Sequence, residues 1–125
     1  MILGNVYKNR KKICYIASFD RTEEDENGNE INYYKKPEPY KFNVQPANGS
    51  TDIALYGERV SKMYKAIISL KTYNNKFKEG DVAYLENTIP KGETENTYGI
   101  SANYKIVSVR PQNTVIAMYF ERIKQ

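Results

Sequence analysis

The stretch Asn103-Tyr-Lys-Ile-Val-Ser-Val-Arg-Pro-Gln-Asn-Thr-Val-Ile-Ala-Met-Tyr-Phe-Glu-Arg-Ile123 decides the fold class. Two β-forming runs, 104–109 and 114–120, flank Arg110-Pro111-Gln112-Asn113. Val, Ile, Tyr and Phe crowd both runs, which suits pleated, half-buried backbone. Pro111 fixes φ and lacks an N–H, so the reading is a hairpin whose ladder breaks at Pro111, with 110–113 as its connection. The second run is apolar on both faces, with Val115, Ala117 and Tyr119 on one side and Ile116, Met118 and Phe120 on the other. A strand buried twice belongs inside a barrel or beneath a partner.

Working outward, the run 12–18 reads as a strand, and the polar segment 20–30, with Asn27-Gly28, as a turn or long hairpin loop before a strand at 31–35. Tyr40, Phe42 and Val44 alternate with Lys41, Asn43 and Gln45 until Pro46, the pattern of a half-buried antiparallel strand. Ser50 or Thr51 can cap a short helix whose Ile53, Leu55 and Tyr56 pack inward before Gly57 ends it. The apolar run 60–70 fits helical spacing, but Ile67-Ile68 and the β-rich surroundings favour a strand. Phe77-Lys-Glu-Gly80-Asp81 forms a turn into the strand 82–86, and the polar stretch 87–102 is a surface connection. The sum is an all-β chain, a small antiparallel β-barrel of about six or seven strands with one short helix and long loops. All 125 residues fit one domain, with an N-terminal arm at about 1–11.

Composition narrows the chemistry. The chain has no histidine, which removes the usual general base and the commonest metal ligand. The single cysteine, Cys14, reads as a small buried hydrophobe and cannot form an internal disulfide. Glu23-Glu24-Asp25-Glu26 does not alternate as a calcium loop requires. Asp52, Glu58 and Asp81 sit at element ends, where carboxylates cap or solvate. There is no Gly-rich phosphate cradle and no Gly-x-Ser-x-Gly. The expectation is therefore a non-enzyme with no catalytic residue, metal or cofactor. No apolar run approaches the ~20 residues of a membrane span, so a soluble protein made in the cytoplasm is expected.

The net charge is +4, and Lys8, Arg10, Lys11 and Lys12 form the densest basic cluster, a candidate for weak contact with DNA or a partner. The twelve tyrosines can stack on bases or fill strand positions. Two readings follow: a nucleic-acid-binding barrel of OB or SH3-like type, single-strand-specific or nonspecific, and a subunit of a larger assembly whose neighbours cover the extra apolar face.

Four segments weigh between them: Tyr7-Lys-Asn-Arg-Lys-Lys-Ile-Cys-Tyr15, Pro39-Tyr-Lys-Phe-Asn-Val-Gln-Pro46, the stretch 49–57, and Asn103-Tyr-Lys-Ile-Val-Ser-Val-Arg-Pro-Gln-Asn113. In order and spacing they resemble the small head-closure, or head–tail connector, proteins of tailed phages that infect Gram-positive bacteria. The resemblance implies a virion protein, synthesised in the host cytoplasm, that assembles as a homo-oligomeric ring between portal or adaptor and tail proteins and helps retain packaged DNA. It implies no enzyme activity, cofactor or membrane association. It also implies a loop reaching the ring channel or the adaptor. On this chain that role falls to Ala47, Asn48, Gly49, Ser50, Thr51, Asp52, Ile53, Leu55 and Tyr56, with the stretch 87–103 as the rival. Ile116, Met118 and Phe120 are the candidate subunit interface.

Overall fold

The computed structural model describes residues 11–123. Its strands are β1 (Lys12–Ala17), β2 (Phe19–Glu24), β3 (Glu30–Tyr34), β4 (Glu38–Phe42), β5 (Val44–Pro46), β6 (Met63–Ser69), β7 (Val82–Tyr84), β8 (Tyr104–Gln112) and β9 (Val115–Arg122). Helix α1 (Ser50–Tyr56) runs into a 3-10 segment (Gly57–Lys62), and α2 (Leu70–Tyr73) is a single turn after β6. Seven strands form one antiparallel sheet in the order β4-β1-β7-β8-β9-β6-β5, while β2 and β3 make a separate two-stranded ribbon.

The alternating run 38–46 explains how the sheet curls. Its first half, β4, pairs with β1, and its second half, β5, pairs with β6 at the opposite edge. The chain changes partner at Asn43, so the two edges of the sheet are consecutive pieces of one run. The result is a mainly β half-barrel with only short free edges, which limits pairing with foreign strands.

The interior is lined by alternate residues of the curled sheet, including Cys14, Ile16, Phe42, Ala66, Ile68, Ile106, Ile116, Met118 and Phe120. Tyr40, Phe42, Tyr73 and Phe77 plug one end through ring contacts between 5.1 and 6.2 Å. Burial pushes the Cys14 thiol up to about 12, the behaviour of an inert core residue.

Several expectations are corrected. β8 continues through Pro111, which stands opposite Ile116, and the connection is only Asn113-Thr114, with Asn113 at φ 56°. Proline fits because β7 pairs β8 only at Tyr104 and Lys105, leaving the other side of the strand with no neighbour to receive a donor. The polar segment 20–30 is mostly ribbon, and only 25–29 turn. The apolar run 60–70, by contrast, is strand from Met63 to Ser69, as expected.

Ile116, Met118 and Phe120 are at most 2% exposed, so they fill the interior and are not a surface for a second subunit. The other face of β9, Ala117 and Tyr119, is covered by Ala47, Met63 and Tyr56 of the same chain. The doubly apolar strand is thus satisfied within one copy. Phe120→Ala should cost about 3–5 kcal/mol of stability in urea unfolding; a loss below about 1 kcal/mol would show that this interior is not packed.

Candidate interaction surfaces

Helix α1 lies on the outside of the sheet with its polarity inverted. Gly49, extended at φ −76° and ψ 163°, is its N-cap, where Ser50 or Thr51 was expected. Asp52, only 1% exposed, faces the barrel, whereas Ile53 and Leu55 are 52% and 41% exposed, against the expectation that they pack inward. The Asp52 carboxylate accepts the Gly49 N–H at 3.0 Å, the Lys65 ammonium of β6 at 2.8 Å and the Tyr119 hydroxyl of β9 at 2.6 Å. Burial alone would raise the Asp52 pKa, but the bonds from Lys65, Tyr119 and Gly49 outweigh it and hold the carboxyl below 3.8. Beside it the Tyr56 ring sits 5.0 Å from that of Tyr119, and Tyr56 and Ser108 share a short hydrogen bond. A bulge in β8 between Ile106 and Ser108 sets Val107 against the same cluster. Residues 47–56, the expected channel-loop or adaptor contact, are therefore fastened to the barrel through Asp52 and Tyr56, with Ile53 and Leu55 left exposed.

The segment that does project is the β2–β3 ribbon. Arg21 to Asn32 have no hydrogen bond to anything outside the ribbon among the described residues, and the ribbon's partners are its own cross-strand pairs. At its tip Asp25 accepts the N–H groups of Asn27 and Asn29, both at 2.9 Å, and Gly28 takes φ 80°. These bonds, Asn29 first, pull the Asp25 carboxyl below its ordinary value. The acidic run therefore builds a turn. Its first strand, Phe19–Glu24, evades period-two reading because all six residues are exposed, whereas its second, Glu30–Tyr34, lies where a strand was expected.

The base of the ribbon is anchored. The Phe19 N–H donates to the buried carboxylate of Asp81 at 2.9 Å, and the Lys35 N–H donates to the Ser18 carbonyl at 2.8 Å. Asp81 also accepts the Lys78 N–H at 3.0 Å, which ties the ribbon to the turn 77–81, where Gly80 has φ 95° as expected. Tyr34 packs with Ala17, Val82, Tyr84 and Ala102. Gly99, at φ 89°, passes so near that a Cβ would meet Tyr34 at 2.8 Å.

The stretch 87–102 has no regular structure, as expected, but it is organised around Glu93. This carboxylate accepts the Tyr84 hydroxyl at 2.7 Å, the N–H groups of Gly99 and Ser101 at 3.1 Å each, and the Ser101 hydroxyl. Burial opposes ionisation of Glu93, yet the bonds from Ser101 and Tyr84 hold its pKa below the ordinary value. The rival loop is thus also packed down, and it covers the outer side of β7.

Of the basic cluster, Lys8 and Arg10 lie outside the described residues, and Lys11 and Lys12 are exposed. Lys12 already belongs to β1, inside the sheet and not an arm. None of the eleven described tyrosines is fully exposed, and Tyr84, Tyr104 and Tyr119 are buried. No group of three or more His, Cys, Asp or Glu able to hold a metal is found among the described residues. No helix among them is long and apolar enough to cross a membrane. No family model, curated protein or solved structure matches the chain.

Because the folded pKa of Asp52 is depressed, its contribution is fully present above the unfolded value of 3.8 and is lost as pH falls through the folded value. Asp52→Ala should cost about 1–3 kcal/mol at pH 7. It should also flatten the fall of stability below that pH. Urea midpoints across the acid range check both, and an unchanged midpoint at pH 7 would show that α1 is not held by this carboxylate.

Proposed function

We propose that the chain is a structural subunit of a phage connector, a head-closure or head–tail connector ring protein that joins the portal or adaptor complex to the tail and helps retain packaged DNA. The observation that carries this reading is the combination of a self-sufficient half-barrel with a ribbon anchored at its base, whose Arg21 to Asn32 form no hydrogen bond outside the ribbon among the described residues. A ring component needs both: a rigid wedge, and an arm that reaches a neighbour or the channel. The resemblance of the four segments to connector proteins supports the same conclusion. The projecting role passes from 47–56 to the ribbon 19–34.

The nucleic-acid-binding alternative draws on the net positive charge alone. Its tyrosines are engaged in packing, and the ribbon, with six carboxylates and one guanidinium, repels phosphate. The protein is expected to bind DNA weakly and without sequence preference. Tight binding to short oligonucleotides at ~0.15 M salt, with no assembly at any concentration, would reverse the ranking.

Replacement of residues 21–32 by a tight turn should leave the melting temperature within a few degrees and abolish ring formation. Negative-stain electron microscopy and native mass spectrometry of the concentrated protein, alone and with phage portal and adaptor proteins, check this. Rings formed equally well without the ribbon would contradict its role.

A further inference from the structure

The ribbon and the rest of the chain differ sharply in charge. Residues 19–34 carry Asp20, Glu23, Glu24, Asp25, Glu26 and Glu30 against Arg21, a net −5 in a chain whose total is +4, which leaves +9 on the remainder. Glu24, Glu26 and Glu30 make no ion pair among the described residues.

One patch of sheet that no described residue covers is opposite to the ribbon in charge. Ile13 stands opposite Lys41 in the β1–β4 register, so both side chains leave the same face, and Ile13 is 61% exposed. Lys11, two residues earlier, is exposed too, and neither lysine has an ion pair among the described residues. Farther along that face Tyr15 and Ala17 are covered by Val82, Tyr84 and Ala102, which bounds the patch. On the ribbon, Ile31 stands opposite Glu23 and is 38% exposed, with the Glu24–Glu30 pair one rung nearer the tip. The Glu24–Glu30 pair leaves the opposite face of the ribbon, so an isoleucine beside lysines finds its counterpart in an isoleucine beside the Glu23 carboxylate on an acidic ribbon.

We infer that the acidic ribbon of one copy docks on the Ile13–Lys41 face of a second copy, an inference that rests on the ring reading above and names its contact. A copy cannot satisfy itself. The ribbon leaves the sheet beyond Ala17, the end of β1 remote from Ile13, and its base is pinned there by Asp81 and Ser18. The two patches are separated by up to roughly 35 Å of strand. Two different patches in contact make a head-to-tail interface, which closes into a ring where the rotation permits. Charge steers the encounter and fixes orientation, and the paired isoleucines exclude water at its centre.

The test uses the full chain. Ile13→Cys and Ile31→Cys variants, with melting temperatures checked against wild type, are mixed and oxidised. The native Cys14 is buried and does not interfere. The expected result is an interchain disulfide forming at least about tenfold faster than in a mixture of Ile31→Cys with Ile67→Cys, because docking raises the local thiol concentration. Adding Lys41→Glu to the first variant should remove that advantage, and adding Glu23→Lys to the second should restore it. Equal rates in the two mixtures, or indifference to Lys41→Glu, would overturn the inference. Rings seen by electron microscopy without this cross-link would overturn the contact and spare the ring reading; the cross-link with only open filaments or dimers would do the reverse.

Discussion

The carboxylate of Asp81 is the constraint on which the working shape depends. It is buried at the start of β7 and accepts N–H groups from two separate pieces of chain, Phe19 at the root of the ribbon and Lys78 in the preceding turn. Its backbone joins a third piece, since the Ile106 N–H donates to the Asp81 carbonyl at 2.8 Å and the Gly80 N–H donates to the Ile106 carbonyl at 3.0 Å. A two-stranded ribbon alone is marginal in water. Here its first rung is bonded to the barrel, so it leaves the barrel in a fixed direction. Tyr34, wedged against Gly99, and the Glu93-centred loop behind it extend that support to the ribbon's second strand.

A division of labour follows from where the chain places its polar groups. Asp52, Asp81 and Glu93 are drawn inward and fully bonded, each replacing water with backbone N–H groups or hydroxyls, and no buried side-chain polar atom lacks a partner among the described residues. The carboxylates of the ribbon stay outside, and Glu24, Glu26 and Glu30 make no ion pair among the described residues. The inward set holds the outer layer to the barrel, while the outward set gives one projecting element a charge opposite to that of the body.

Much of the framework was legible because local chemistry and global fold agree. The C-terminal hairpin announces itself through β-branched and aromatic runs, the run 38–46 through strict alternation, and the 77–81 turn through a glycine that takes positive φ. The misplaced features have physical reasons. Proline reads as a ladder break, but Pro111 sits on a side of β8 with no neighbour. The ribbon's second strand was legible at 31–35, but its first, Phe19–Glu24, has four charged side chains among six exposed residues and reads as a loop. Asp52 looks like a cap and is one, but its partners Lys65 and Tyr119 lie 13 and 67 residues away, a distance no spacing rule spans. The same blindness turned α1 inside out, because a pattern-based reading puts Ile53 and Leu55 inward and cannot see a buried carboxylate that orients the helix the other way. It also assigned the second apolar face of β9 to a neighbour when the chain's own 47–56 segment covers it.

On the proposed ring reading, assembly falls on the ribbon and the lysine-flanked face of β1 and β4, while both faces of β9 are covered within one copy. Hydrogen–deuterium exchange, compared between dilute protein and the concentrated or assembled state, reads this directly. New protection confined to the ribbon 19–34 and to the β1–β4 strands around Ile13 and Lys41, with α1 and β9 unchanged, is the predicted result. Protection appearing instead on α1 around Ile53 and Leu55, with the ribbon still exchanging freely, would contradict it.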